Sequence, residues 1–233
     1  MIIHGRGEMF IKKVKKLKGF TLAEVLITLG IIGVVAALTI PTLISNYQKS
    51  QTISQLKKAY SELSQAVKLS EIDNGPSQNW DWGIQGGEST STDFFNTFWK
   101  PYLRVQKICT TYKDCSYTNS TYDMVNGGPS WLSLATNTSR TLLALQDGTI
   151  LCIVSSSYDS DGNPISYRFI YADINGAKKP NSIGRDVFVF TLSSSGLTPY
   201  GTANDCITTD SRHCAAKIIS DGWQIKDDYP WQR

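Results

Sequence analysis

The chain has 233 residues, 18% of them charged and 41% hydrophobic, enough for one medium domain with a real core plus an appendage. Its net charge of +3 comes from the first 19 residues, where Arg6, Lys12, Lys13, Lys15, Lys16 and Lys18 face only Glu8; the remainder carries 17 basic against 19 acidic residues. Without a dense basic cluster in that remainder, a nucleic-acid partner is not expected.

The first element follows the lysines. Residues 20–40 contain one charge, Glu24, and as a helix would span roughly 31 Å, close to the thickness of a bilayer's hydrocarbon core. The preceding lysines would stay on the cytoplasmic side and send the rest of the chain across. A secretory signal peptide cut near "VVAAL" is the plainer alternative. The length of the apolar run and the acid within it both speak against that. A carboxylate in hydrocarbon costs about 2–3 kcal/mol or more on insertion scales, and a helix N-terminus lowers this only a little. No Lys or Arg lies between Phe20 and Thr42. The partner of Glu24 is therefore a chain terminus, a lipid headgroup or another chain.

"KGFTLAEVLITLGIIGVVAALTIP", with the lysine-rich leader before it, resembles the prepilin cleavage and methylation segment of type IV pilins and type II secretion pseudopilins. The resemblance covers the N-terminal segment alone. It implies that a prepilin peptidase cuts after Gly19 and leaves Phe20 as an N-methylated terminus. It also implies that Glu24 pairs with the terminal amine of a neighbouring subunit, and that Pro41 matches a proline found in the family's assembly helix. The leader is long for that family, and Met9 opens one of more usual length, "MFIKKVKKLKG". Translation from Met9 is the expectation that follows.

Within the span, Gly33 and Ala37 form a small-xxx-small pair suited to close helix approach, although glycine is also simply common in membrane helices. Pro41 is expected to kink or loosen the helix. Beyond it, Leu56, Ala59, Tyr60, Leu63, Ala66 and Val67 repeat at helical spacing and predict an apolar face turned to a sheet. "DNGP" at 73–76 ends the element, with Gly75 as the left-handed cap. One helix over 21–73 would reach roughly 80 Å.

Residues 77–135 read poorly. "QNWDWGIQGGESTST" has loop composition, and "STDFFNTFWKPYL" reads as a short capped helix. The aromatics Trp80, Trp82, Phe94, Phe95, Phe98 and Trp99 suit either a sugar-stacking surface or packing beneath a loop, and packing is favoured. "TLLALQDGTILCIV" is a hairpin turned at Asp147-Gly148. "ISYRFIYADI" and "DVFVFTLS" continue it as an antiparallel meander over the helix, which makes the fold α+β; the resemblance implies a pilin-like αβ-roll. The ending predicts a short helix and an ordered tail, with Trp223, Tyr229 and Trp231 docked on the sheet.

All five cysteines follow the apolar segment, where an oxidising compartment is expected. Local pairs are preferred, Cys109 with Cys115 and Cys206 with Cys214, each contributing roughly 2–3 kcal/mol in the chain-entropy account; Cys152 would stay a buried thiol. A zinc site on Cys206, His213 and Cys214 lacks a second close pair of ligands. Calcium has two candidate loops, one with Asp159, Asp161 and Asn163 and one with Asp173, Asn175 and Asp186. Some pseudopilins bind calcium in a loop beside the sheet, and turn chemistry alone also explains these residues. No other cofactor is implied. No hydrolase, Walker or metalloprotease motif occurs, so an enzyme is not expected.

The expected organisation is a leader over 1–19, a transmembrane and assembly helix over 20–41, an amphipathic spine over 42–75 and a β-rich domain over 76–233. The expected function is a structural subunit of a type IV pilus-like or type II secretion pseudopilus filament. It would sit in the bacterial inner membrane with its C-terminal domain outside, and its partners would be prepilin peptidase, other subunits and that membrane. A minor tip pilin that grips sugar or DNA is the alternative, and a membrane-anchored domain that never polymerises is a third reading.

Overall fold

The structure, a computed structural model, describes residues 19–80, 91–125, 133–134, 140–154, 157–158, 164–165, 169–193, 195–208 and 210–231. The leader, Trp82, and the loop holding Asp159, Asp161 and Asn163 lie outside the described residues. The chain divides into two compact units, Met1–Ser45 and Asn46–Arg233.

Helix α1 runs Leu22–Asn74 and contributes to both units. Its first half is long and apolar enough to cross a membrane, and none of its most apolar window is buried. Pro41 removes the one N–H that would reach the Ala37 carbonyl, yet the helix continues unbroken on both sides. The expected loosening does not interrupt the element. The end of α1 lies where Gly75, at φ +77°, takes the left-handed conformation that costs glycine nothing.

In the second unit, α1 buries Leu56, Ala59, Leu63, Ala66 and Val67, one stripe at helical spacing. The stripe packs with one face of an eight-stranded sheet. The sheet's strands are β1 (Val105–Cys109), β2 (Asp123–Met124), β3 (Arg140–Leu145), β4 (Ile150–Val154), β7 (Phe169–Asp173), β8 (Ser182–Ile183), β9 (Val187–Ser193) and β10 (Gly196–Pro199). A separate small hairpin, β5 (Ser157–Tyr158) with β6 (Pro164–Ile165), lies between β4 and β7 in sequence. The order is β1-β3-β4-β7-β9-β8-β2, with β10 pairing β9. β3, β4, β7 and β9 are antiparallel neighbours, as in Leu142↔Cys152, Cys152↔Tyr171 and Tyr171↔Val189. That is the meander read from the sequence, and the fold is α+β. β1 at one edge, β10, and the short parallel pairings of β8 with β2 and β9 were not foreseen.

Both faces of this sheet are buried. Leu143, Leu151, Ile153, Ile170, Ala172, Phe188 and Phe190 join the core with α1. Their chain neighbours Leu142, Cys152, Val154, Tyr171, Val187 and Val189 form a second core with Tyr117, Tyr122 and Leu134. Alternate residues point to opposite faces of a strand, so a sheet covered on both sides reads as continuous apolar runs rather than an alternation. The poorly legible stretch before β3 supplies that second cover.

The aromatic cluster is packing. Trp80, Phe94, Phe95 and Trp99 are buried, and Trp80 stacks on half-buried Phe98 with ring centroids 4.7 Å apart. Phe94, Phe95 and Phe98 come from α2 (Ser91–Phe98). Near the C-terminus, α3 (Asp205–Thr208) and α4 (Cys214–Ser220) precede the tail. Trp223 meets Tyr60 of α1, with centroids 5.8 Å apart, and buried Tyr229 donates its hydroxyl to the Gly184 carbonyl. Lys217, its stem covered, reaches Asp221 at 2.9 Å and Asp228 at 2.8 Å, pinning the tail to α4.

Candidate functional site

Two places hold the residues singled out in the sequence. The first is the start of α1. Thr21 and Glu24 form a reciprocal N-terminal cap: the Glu24 carboxylate accepts the Thr21 N–H and the Thr21 hydroxyl, each at 2.8 Å, and the Glu24 N–H reaches Thr21 Oγ1 at 3.2 Å. The acid is thus satisfied within its own first turn, immediately beside Gly19 and Phe20. Phe20, Leu22, Leu26, Ile27 and the apolar residues that follow are exposed, and no other part of the described chain covers them.

The second is the loop between β7 and β9. Asp186 closes it: Oδ1 accepts the Ser182 N–H at 2.6 Å, and Oδ2 accepts the Asn181 N–H at 2.9 Å and the Asn175 side-chain amide at 3.1 Å. Asp173, fully buried, accepts the Tyr117 hydroxyl at 2.6 Å on Oδ2, and Tyr117 in turn lies 3.1 Å from the Tyr122 hydroxyl. Three oxygens in this loop are buried without a donor: Asp173 Oδ1, Asn175 Oδ1 and Asn181 Oδ1. The Asn175 and Asn181 amide nitrogens are engaged by Asp186 and by the Ala177 carbonyl, which fixes their oxygens on the opposite side. Burial raises the Asp173 carboxyl to about 8, with the neighbouring Asp186 charge adding to it, against the pull of the Tyr117 hydroxyl. Burial also raises Asp186, although backbone N–H groups favour its charge. The structure brings Asp173, Asn175 and Asp186 together and adds Asn181 and Tyr117 to them.

Residues 42–232 match a family described as a family of unknown function, DUF6613. The chain belongs to that family. Residues 14–40 match the prokaryotic N-terminal methylation motif, the signal of type IV pilins and pseudopilins. Comparisons with curated proteins and with solved structures find no match.

In this pilin-type chain, Cys109 is bonded to Cys115 and Cys206 to Cys214, while Cys152 is a buried free thiol. The Cys206–Cys214 bond consumes both thiolates that a zinc site on His213 would need. Burial pushes the Cys152 thiol up to about 12, so it is not a reactive thiolate. Among the described residues, no three His, Cys, Asp or Glu side chains come together as a metal cluster. Thr21 belongs to the first site through a Thr-x-x-Glu spacing that a capping-box reading would have found. Tyr117 had no such signal, because 56 residues separate it from Asp173.

Proposed function

We propose that the protein is a filament subunit of a type IV pilus-like or type II secretion pseudopilus assembly. A prepilin peptidase cuts between Gly19 and Phe20, and the subunit polymerises with others through the first half of α1. One observation carries this reading: the start of α1 is an apolar surface with no cover among the described residues, and its acid sits in the first turn. The natural cover for such a surface is a bilayer before assembly and other apolar helices after it. Cleavage frees the Phe20 amine one residue before the Thr21–Glu24 cap. An incoming subunit's amine then meets a carboxylate already held in place, and pairing offsets the cost of keeping that charge in an apolar bundle. The lysines before Gly19 keep the N-terminus cytoplasmic, and the disulfide-bearing domain lies on the oxidising, periplasmic or extracellular side.

Intact-mass and N-terminal analysis of the protein from its native membrane tests the processing. The expected chain begins at N-methylated Phe20. One beginning near Leu38 would make the segment an ordinary signal peptide and remove the basis for assembly.

A second reading concerns loop 173–186, as a calcium site. Calcium takes about 6–8 oxygen ligands and no nitrogen, and the loop offers the three donorless oxygens of Asp173, Asn175 and Asn181 beside the Asp186 carboxylate. The chemistry of these donors suits the ion, and backbone carbonyls and water would have to complete the shell. Bound calcium would neutralise the buried acids and tie the end of β7 to the start of β9. Calcium at about 100 times its dissociation constant should stabilise the folded chain by about 2.7 kcal/mol, read as a rise in melting temperature that EDTA reverses. Asp173→Asn keeps an acceptor toward Tyr117 and removes the charge, so its rise should shrink or vanish. An equal rise in this variant would refute the site.

A further inference from the structure

We propose that a polar groove in the globular unit binds an acidic polysaccharide. The groove, about 1,040 Å³, lies among the β3–β4 turn, β1, loop 175–180 and the face of α1 that carries Gln48, Gln51 and Gln55. Its size is at the upper end for small-ligand pockets, and it opens along the wall of a helix. That geometry suits a length of polymer better than one small metabolite.

The chemistry narrows the ligand. Gln48, Gln51 and Gln55 fall three and four residues apart, so they line one side of the helix. None of the three side chains has a hydrogen-bond partner among the described residues, and each amide offers donors and acceptors together, the set that sugar hydroxyls need. Across from them, Lys178 and Lys179 are exposed and have no ion-pair partner among the described residues. The acids that border the groove are all committed. Asp147 pairs with Lys58 at 2.8 Å, Asp114 caps its own turn through Thr110 and Thr111, and Asp186 holds the Ser182 and Asn181 N–H groups. Among the described residues the groove is lined by Lys107, Lys178, Lys179 and Arg185 against Asp114, Asp147 and Asp186, so its net charge is positive, in a domain whose overall charge is not. At the rim, the Arg185 guanidinium lies over the ring of half-buried Trp231, 5.2 Å from its centroid. Single-stranded nucleic acid would call for a series of stacking aromatics along the groove, and among the described residues Trp231 is the one aromatic that lines it.

The site involves no residue of the assembly segment, so its test is independent of polymerisation. Full-length protein in a detergent without sugar, with EDTA present so that no calcium is bound in loop 173–186, is titrated with polygalacturonate while tryptophan fluorescence is followed. Neutral dextran and oligothymidylate serve as comparison probes. Polygalacturonate should bind, and binding should weaken roughly tenfold between about 50 and about 200 mM salt, as expected when about two cations engage a polyanion. K178E/K179E should lower affinity roughly tenfold or more, and Q51A/Q55A should lower it at unchanged salt dependence. The proposal is overturned if polygalacturonate fails to bind at low salt, if dextran binds as well, if oligothymidylate binds tighter, or if neither double variant changes affinity.

Discussion

Glu24→Ala should yield a chain that enters the membrane and is cut after Gly19 but does not build filaments. Insertion depends on the apolar run and the flanking lysines, and loss of an acid eases it. Assembly is different. Removing one partner from a pair in an apolar bundle leaves the other charge uncompensated, at a cost of about 3–5 kcal/mol, which is roughly a hundredfold or more in each subunit's association constant. The variant also removes the carboxylate that caps α1 through Thr21, a local and solvent-exposed loss. Glu24→Gln separates the two effects, because its amide oxygen can still accept the Thr21 N–H while the charge is gone. Sheared filament and membrane-retained pools, compared by immunoblot, should show both variants retained. Normal filament yield from Glu24→Gln would mean that the charge has no part in assembly.

Leu63→Ala should cost the globular unit about 2–5 kcal/mol, the range for emptying a leucine site in a packed core. Leu63 is 1% exposed, on the stripe of α1 that packs with Phe188 and Phe190. Against a total stability of about 5–15 kcal/mol, that weakens the sheet's hold on its helix substantially. Ile72, about two and a half turns on and so on the opposite face of the same helix, is 78% exposed, and its replacement by alanine should change stability by no more than about 0.5 kcal/mol. Urea unfolding of the full chain, followed through buried Trp80 and Trp99, measures both. Equal losses at the two positions would contradict the packing described for α1.

Much of the architecture was legible because its causes are local. The stripe from Leu56 to Val67 is a helical period, Gly75 is a stop, and Asp147-Gly148 is a hairpin turn; each uses neighbours a few residues apart. The meander of β3, β4, β7 and β9 followed from short apolar runs separated by turn residues. β1 was missed because "VQKIC" has an exposed, polar middle suited to an edge. The two-residue β2 and β8 carry no period at all and exist only through each other and β9.

The sequence by itself determined that this chain has a membrane-type N-terminal helix with a pilin signal, an amphipathic continuation and an antiparallel β meander. Those features are set by hydrophobic period, turn chemistry and a contiguous motif, and each can be read within a short window. Tertiary structure alone decided that both faces of the sheet are covered, that the aromatics after α1 pack rather than face solvent, and that Tyr117 meets Asp173. It also decided that the oxygens of Asp173, Asn175 and Asn181 lie buried without donors, and that glutamines of α1 and lysines of a distant loop line one groove. Burial and hydrogen-bond satisfaction depend on what the rest of the chain brings to a residue, and segments far apart in sequence meet only once the core has formed.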